Sequence, residues 1–361
     1  MRLTLIAGAR PNFMKIAPIM HALKKARDRG EDIKYRLVHT GQHYDEKLSE
    51  SFFRQLNIPA PDANLEVGSG SQATQTANIM VKFEEELIAN PADYVLVVGD
   101  VNSTMACAIV AKKLNTKVIH VEAGLRSYDM QMPEEINRLV TDAIADIFFT
   151  TTPEAGYNLI EKGAAKDDIY FVGNTMIDTL VANLDRLQKP ELFDALALQP
   201  KGYFAMTLHR PSNVDEEAKL ASLIQLIGEK AGERAIVFPV HPRTRQNLEK
   251  LSGLPKNIHL TDPLGYLEFM YLIKNAFAVV TDSGGIQEET TFLGIPCLTL
   301  RENTERPETI TIGTNELLGM DVAAIGKAFD KLNDNQWKEG IIPALWDGKT
   351  AERIVDVLLK L

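Results

Sequence analysis

In this 361-residue chain, carboxylates recur at the ends of short apolar runs. VLVVGDVNST (95–104) closes on Asp100, and HVEAGLRS (120–127) carries Glu122 just past a similar run. MPEEINR (132–138) puts Glu134 and Glu135 behind Pro133, at a helix start. Acidic groups that converge on one edge raise one another's pKa, so one can hold a proton near neutral pH and do acid–base work. Singly, each has an ordinary reading. Asp100, Asn102 or Ser103 can cap a helix, and glutamates in a first turn complement the helix dipole.

Cations and glycines stand at comparable places. AGARPNFMK (7–15) runs from a strand into a helix, with Gly8 for a tight turn and Arg10 and Lys15 flanking the helix N-terminus. Backbone N–H groups and the dipole favour an anion there, although solvated charges on a βα loop have the same look. MTLHRPSN (206–213) and FPVHPRT (238–244) each place a histidine and an arginine just past a strand: His209 with Arg210, and His241 with Arg243. VVTDSGGIQEE (279–289) has the strand, Ser283-Gly284-Gly285, helix order of a phosphate cradle. Glu289 lies about one turn into that helix, where a carboxylate accepts from ribose hydroxyls, and Arg301 and Arg306 of LRENTERPET (300–309) can serve the same phosphates.

Other patterns lead nowhere. GSGSQA (68–73) matches a dinucleotide fingerprint by letters but does not follow the first strand of a βαβ unit. His39 and His43 are four apart in HTGQH, which is not HExxH and contains Gly41, so no metal site is expected. No GxSxG elbow occurs. Cys107 and Cys297 each sit in an apolar stretch and read as small buried side chains in a reducing, cytoplasmic setting.

The elements that must position these residues alternate. Strands are expected at Leu3–Ala7, Tyr35–His39, Tyr94–Val98, Lys117–Val121, Ile147–Thr151 and Ile169–Val172, then at Tyr203–Leu208, Ala235–Val240, Ile258–Leu260, Ala276–Val280 and Pro296–Leu300. Helical spacing marks Met14–Lys25, Gln72–Ile88, Met176–Leu187, Ile286–Leu293 and an amphipathic Thr350–Leu361 capped by Thr350. Such alternation implies parallel sheets covered by helices on both faces, with the break between about Gly173 and Gly202 marking two domains. Ligands of such sheets bind at the carboxyl ends of the strands.

Apolar residues at 45% and charged residues at 24% fit a soluble globular protein. A net charge of −10 argues against general nucleic-acid binding. No apolar run nears the length of a membrane span, and the N-terminus reads as neither signal peptide nor address.

Taken together and in order, GARPNFMK, VGDVNST, HVEAGLRS, MPEEINR, TLHRP, PVHPR, TDSGGIQEE and NTERPET resemble the bacterial non-hydrolysing UDP-N-acetylglucosamine 2-epimerase family over nearly the whole chain. The resemblance implies a GT-B-like α/β fold of two Rossmann-type doubly wound parallel-sheet domains with a cleft between them. Residues 1–173 plus 347–361 would carry the carboxylates and 174–346 the UDP site, with the C-terminal helix packed back on the first domain. It implies interconversion of UDP-GlcNAc and UDP-ManNAc by elimination and re-addition of UDP through 2-acetamidoglucal, for surface polysaccharide precursors. It implies no cofactor and a homodimer. Asp100, Glu122, Glu134 and His209 resemble the catalytic groups. Arg10, Lys15, Arg210, His241, Phe269, Ser283, Gly284, Gly285, Glu289 and Arg306 resemble the substrate contacts, with Phe269 near the uracil. Gln42 and His43 resemble part of an activator site, but Tyr44-Asp45 and SGSQATQ depart from the activated members. The departures leave room for a related UDP-diacetamido sugar or uronic acid. A hydrolysing 2-epimerase, a GT-B glycosyltransferase and a non-catalytic nucleotide-sugar sensor are the other readings.

Overall fold

The computed structural model describes residues 1–42, 53, 55–240, 242–251 and 253–361. The chain divides into two compact units, Met1–Ala182 with Ala344–Leu361, and Asn183–Pro343. Among the described residues, the first unit is built on seven strands: β1 (Arg2–Ala7), β2 (Lys34–His39), β3 (Ala63–Asn64), β4 (Tyr94–Val98), β5 (Lys117–Val121), β6 (Ile147–Thr150) and β7 (Ile169–Phe171). They lie in the order β3-β2-β1-β4-β5-β6-β7, and the pairs are parallel. β1 is central, with Leu5 opposite Leu37 on one side and Leu96 on the other. Every residue of β4 is buried. Its unbroken YVLVV run shows why: a parallel sheet covered on both faces has no solvent side to mark with polar residues.

The second unit repeats the plan with β8 (Tyr203–Thr207), β9 (Ala235–Pro239), β10 (Ile258–Thr261), β11 (Ala278–Thr281), β12 (Cys297–Thr299) and β13 (Asn315–Leu317), in the order β10-β9-β8-β11-β12-β13. Both sheets are therefore of the Rossmann type that the chain's alternation implies. In each, the order of strands reverses beside the first strand, at β1/β4 and at β8/β11. At such a switch point the connecting segments part and leave a crevice at the strands' carboxyl ends.

The eleven strands expected from the sequence are present, with ends moved by a residue or two. β3 and β13 were not expected; their sequences, AN and NEL, contain no apolar run to mark them. The division between units falls at 182/183 and 343/344, not at 173/174 and 346/347. The reason lies in the helix Thr175–Asn183, which is tied to the first unit. Thr179 Oγ1 donates to the carbonyl of Met14, and the Asp178 carboxylate accepts from Thr350 N at 3.0 Å and Ala351 N at 2.7 Å. Thr350 is thus not the cap of the last helix, Thr350–Leu358, but its first residue; Asp178 satisfies the open N–H groups from another helix. That last helix packs on Arg10–Asp28, as the resemblance implied.

Cys107 and Cys297 are both buried and free, as their apolar settings suggested. Ser71, inside the GSGSQA string, caps the helix Gln72–Ala89 by accepting from Thr74 N. No helix among the described residues is long and apolar enough to cross a membrane.

Candidate active site

At the first switch point, the turn after β1 is clamped by Asn12. Its Oδ1 accepts from Gly8 N and Ala9 N, both at 3.0 Å, and its Nδ2 donates to the carbonyl of Val98 at the end of β4. Gly8 is needed here for closeness, not for turn geometry. An added Cβ would stand 2.1 Å from Ser103 Oγ and 3.0 Å from Thr40 Oγ1. The helix Arg10–Asp28 starts at once, with Arg10 exposed at its first position. One turn on, Lys15 is 6% exposed, and its ammonium pairs with Glu122, itself 4% exposed. Lys15 therefore reaches a carboxylate of its own unit, where a nucleotide contact was expected.

Gly99 lies under this pair. A Cβ on it would be 2.9 Å from Lys15 Nζ and 3.3 Å from Glu122 Oε2, and its φ is +65°. Both constraints demand glycine immediately before Asp100. Glu122 itself has φ +69°, a left-handed conformation that a side-chain-bearing residue adopts at a cost. Asp100 is half-buried and pairs through Oδ2 with Arg138 Nη1; its backbone carbonyl accepts from Asn137 Nδ2 at 2.8 Å. It caps nothing, and neither do Asn102 and Ser103, which lie inside the helix Asn102–Lys113 behind Val101.

The helix Pro133–Ile144 carries the third acid. Glu134 is exposed in its first turn. Glu135 is buried and accepts from Ser127 N, Ser127 Oγ, Tyr128 N and the Arg138 guanidinium. Burial works against its charge, but these donors together hold its pKa below the usual glutamate value. The two neighbours thus divide: Glu135 braces Arg138, while Glu134 remains open to solvent.

At the second switch point His209 follows β8 and Asp282 follows β11. His209 Nδ1 lies 2.6 Å from Asp282 Oδ1, with the imidazole exposed and the carboxylate fully buried. Asp282 also accepts from His209 N, Arg210 N and Asn213 Nδ2. Burial opposes its charge, yet His209 and these N–H groups hold its pKa below the ordinary value. Ser283 precedes the helix Gly284–Leu293, and its hydroxyl does not cap that helix. Gly284 permits a close approach by Arg306, whose Nη1 would be 2.9 Å from an added Cβ. Gly285 follows inside the first turn.

Two expected ligand contacts are engaged within the unit. Arg306 is buried, with Nε 2.7 Å from Glu288 Oε1 and a second ion pair to Glu305. Glu289 is buried and accepts from Tyr266 Oη at 3.2 Å. Burial, with Glu288 beside it, pushes its pKa up to about 8, so it is mostly protonated at neutral pH. Phe269 is half-buried on the same helix as Tyr266, Tyr266–Asn275. Gln42 accepts from Ser103 N and Ser103 Oγ. His43 and His241 lie outside the described residues. Among the described residues no cluster of His, Cys, Asp or Glu is arranged to hold a metal ion.

Asn12 and Arg138 at the first switch point, and Asp282 at the second, hold positions that the sequence motifs do not single out. A signal existed for Arg138, since Glu134 and Arg138 are four apart and share a helix face. Asp282 stood in the TDSGG string, overshadowed by its glycines.

The sequence pattern of the UDP-N-acetylglucosamine 2-epimerase family matches residues 25–359. The chain belongs to that family. A UDP-N-acetylglucosamine 2-epimerase of Methanocaldococcus jannaschii is 41% identical over 99% of both chains. The crystal structure of the M. jannaschii enzyme in complex with UDP-GlcNAc and UDP superposes with a TM-score of 0.88, covering all of both chains. The Neisseria meningitidis enzyme bound to UDP-GlcNAc gives 0.89 at 29% identity, again with full coverage. Archaeal relatives thus stand beside bacterial ones, and the family is wider than the bacterial group the motifs suggested. A UDP-2,3-diacetamido-2,3-dideoxy-D-glucuronate 2-epimerase of Pseudomonas aeruginosa is also 39% identical over the full length of both chains.

Proposed function

We propose that this protein is a non-hydrolysing UDP-GlcNAc 2-epimerase, an isomerase that interconverts UDP-GlcNAc and UDP-ManNAc. The observation that carries the reading is the pairing at the two switch points: ion-paired carboxylates at the first, and a histidine–aspartate pair beside a Ser-Gly-Gly helix start at the second. The hydrogen on carbon 2 is not acidic, because no carbonyl adjoins it in the ring. Elimination avoids that difficulty. A carboxylate takes the proton from carbon 2, the carbon 1–oxygen bond breaks with its electron pair going to the diphosphate, and a carbon 1–carbon 2 double bond forms. Return of a proton to the other face of carbon 2, with attack of the diphosphate oxygen on carbon 1, yields the epimer.

In this reading Asp100, Glu122 and Glu134 share the proton transfers. His209, oriented by Asp282, donates to the departing diphosphate together with Arg210, Ser283 and the N–H groups at Gly284 and Gly285. Stabilising that leaving charge is the largest catalytic contribution. Arg10 and Phe269 contact the nucleotide-sugar, and Glu289 the ribose. The enzyme is a cytoplasmic homodimer that supplies polysaccharide precursors. Incubation with UDP-GlcNAc alone in heavy water tests the chemistry: UDP-ManNAc carrying deuterium at carbon 2 is expected, without free ManNAc. Product lacking deuterium would remove the elimination, and free ManNAc with UDP would make the enzyme a hydrolase.

The P. aeruginosa relative favours a second substrate, a UDP-diacetamido uronic acid, at nearly the same identity. Comparing kcat/KM for the two UDP-sugars decides between them.

A further inference from the structure

His120 is wholly buried, yet both of its ring nitrogens are engaged. Nε2 lies 2.9 Å from the carbonyl oxygen of Gly99, and Nδ1 lies 2.7 Å from Asp142 Oδ1. A carbonyl only accepts, so Nε2 carries a hydrogen. Asp142 is a carboxylate, held in that form by the ion pair to the always-charged Arg126 guanidinium. Its other oxygen accepts from Arg126 Nη1 at 2.6 Å and Gly124 N at 3.1 Å. A carboxylate also only accepts, so Nδ1 carries a hydrogen as well.

From this geometry we infer that His120 is a buried imidazolium, and that His120 and Asp142 are positioning residues for the proposed acid–base groups. The charged groups facing the ring are Asp142 and, through it, Arg126; beyond Gly99 stands the Lys15–Glu122 pair. The cluster ties together three segments. Gly99 precedes Asp100, and its N–H also bonds Val121 O. Gly124 and Arg126 follow Glu122. Asp142 rides on the helix that begins beside Glu134 and pairs Arg138 with Asp100. One ion-paired ring thus sets the spacing of all three acidic residues. Misplacement by about 1 Å in such a frame costs on the order of 100-fold in rate. Glu134, Arg138 and Asp142 recur every four residues, so one helix face carries the acid, its neighbour's brace and the hub.

The inference rests on the epimerase reading, and its test separates the two. Asp142→Asn and His120→Gln keep volume while removing the charge pair. Both are expected to lower kcat about 10–100-fold with KM for UDP-GlcNAc and calorimetric affinity for UDP changed less than about two-fold. In the wild-type protein, 15N NMR of the His120 ring under the assay conditions is expected to show both nitrogens protonated. Unchanged kcat per folded molecule, or a ring with one protonated nitrogen, overturns the inference. The NMR measurement needs neither a variant that folds nor a substrate. Failure of the wild-type protein to turn over any UDP-sugar would instead strike the functional reading.

Discussion

Lys15 and Glu122 are each more than nine-tenths buried, so each offsets part of the cost of burying the other's charge. Removing Lys15 takes that compensation from the buried Glu122 carboxylate. Lys15→Met is therefore expected to destabilise the protein by about 3–5 kcal/mol. It should also abolish turnover. Adding Glu122→Gln should recover part of the stability and none of the activity; chemical denaturation of the two single variants and the double variant measures this coupling. Asp282 acts on an exposed partner. Its carboxylate receives His209 Nδ1 and so fixes which ring nitrogen faces outward. Asp282→Asn removes the negative charge beside the ring and one of the acceptors that the His209, Arg210 and Asn213 N–H groups share. A fall in kcat of roughly 100-fold is expected, from the lost charge and the loosened placement of His209. Steady-state kinetics at saturating UDP-GlcNAc gives the answer.

Among the elements, the last helix shows most plainly how the first unit is closed. Its first two N–H groups end on Asp178, 172 and 173 residues earlier in the chain. Lys349, which precedes the helix, caps it with no side-chain hydrogen bond. Asp178→Ala should cost about 1 kcal/mol, the usual effect of losing a cap, and should speed amide exchange in Thr350–Leu358 more than in the parallel sheets. Equal exchange throughout would mean that the helix is held by its apolar face alone, through Ile354, Val355 and Leu358. The same contact explains the position of the unit boundary. Glycine and turn formers after Gly173 suggested a break there, but a helix that supplies a cap to the first unit has to belong to it.

For the molecule as a whole, buried acids set the dependence of stability on pH. Asp142, Asp282 and Glu135 are held below their ordinary values, so the stability they contribute is present above about pH 4–5 and is lost as pH falls through their folded values. Glu289 runs the other way. Its pKa is raised to about 8, so its contribution is full below about pH 4.5 and declines as pH climbs to 8. Denaturation midpoints measured between those limits should fall with rising pH, and Glu289→Gln should flatten that slope. A slope unchanged in the variant would mean that another group titrates.

The strands were legible because parallel sheets buried on both faces demand long apolar runs, and those runs stand in the sequence as VLVV, KVIHV and AVVT. The residues proposed for catalysis stand out for a related reason: ligands of parallel sheets bind where such runs end, and Asp100, Glu122, His209 and Ser283 hold those positions along the chain. Their partners do not stand out. Lys15 reaching Glu122 across 107 residues, Asp282 reaching His209 across 73 and Asp178 reaching Thr350 across 172 are products of strand order. Sequence by itself determined the elements and the kinds of side chain at their ends. Only the tertiary structure decided which charges meet, because ion pairs and hydrogen bonds act over a few ångströms in space and leave no spacing rule along the chain.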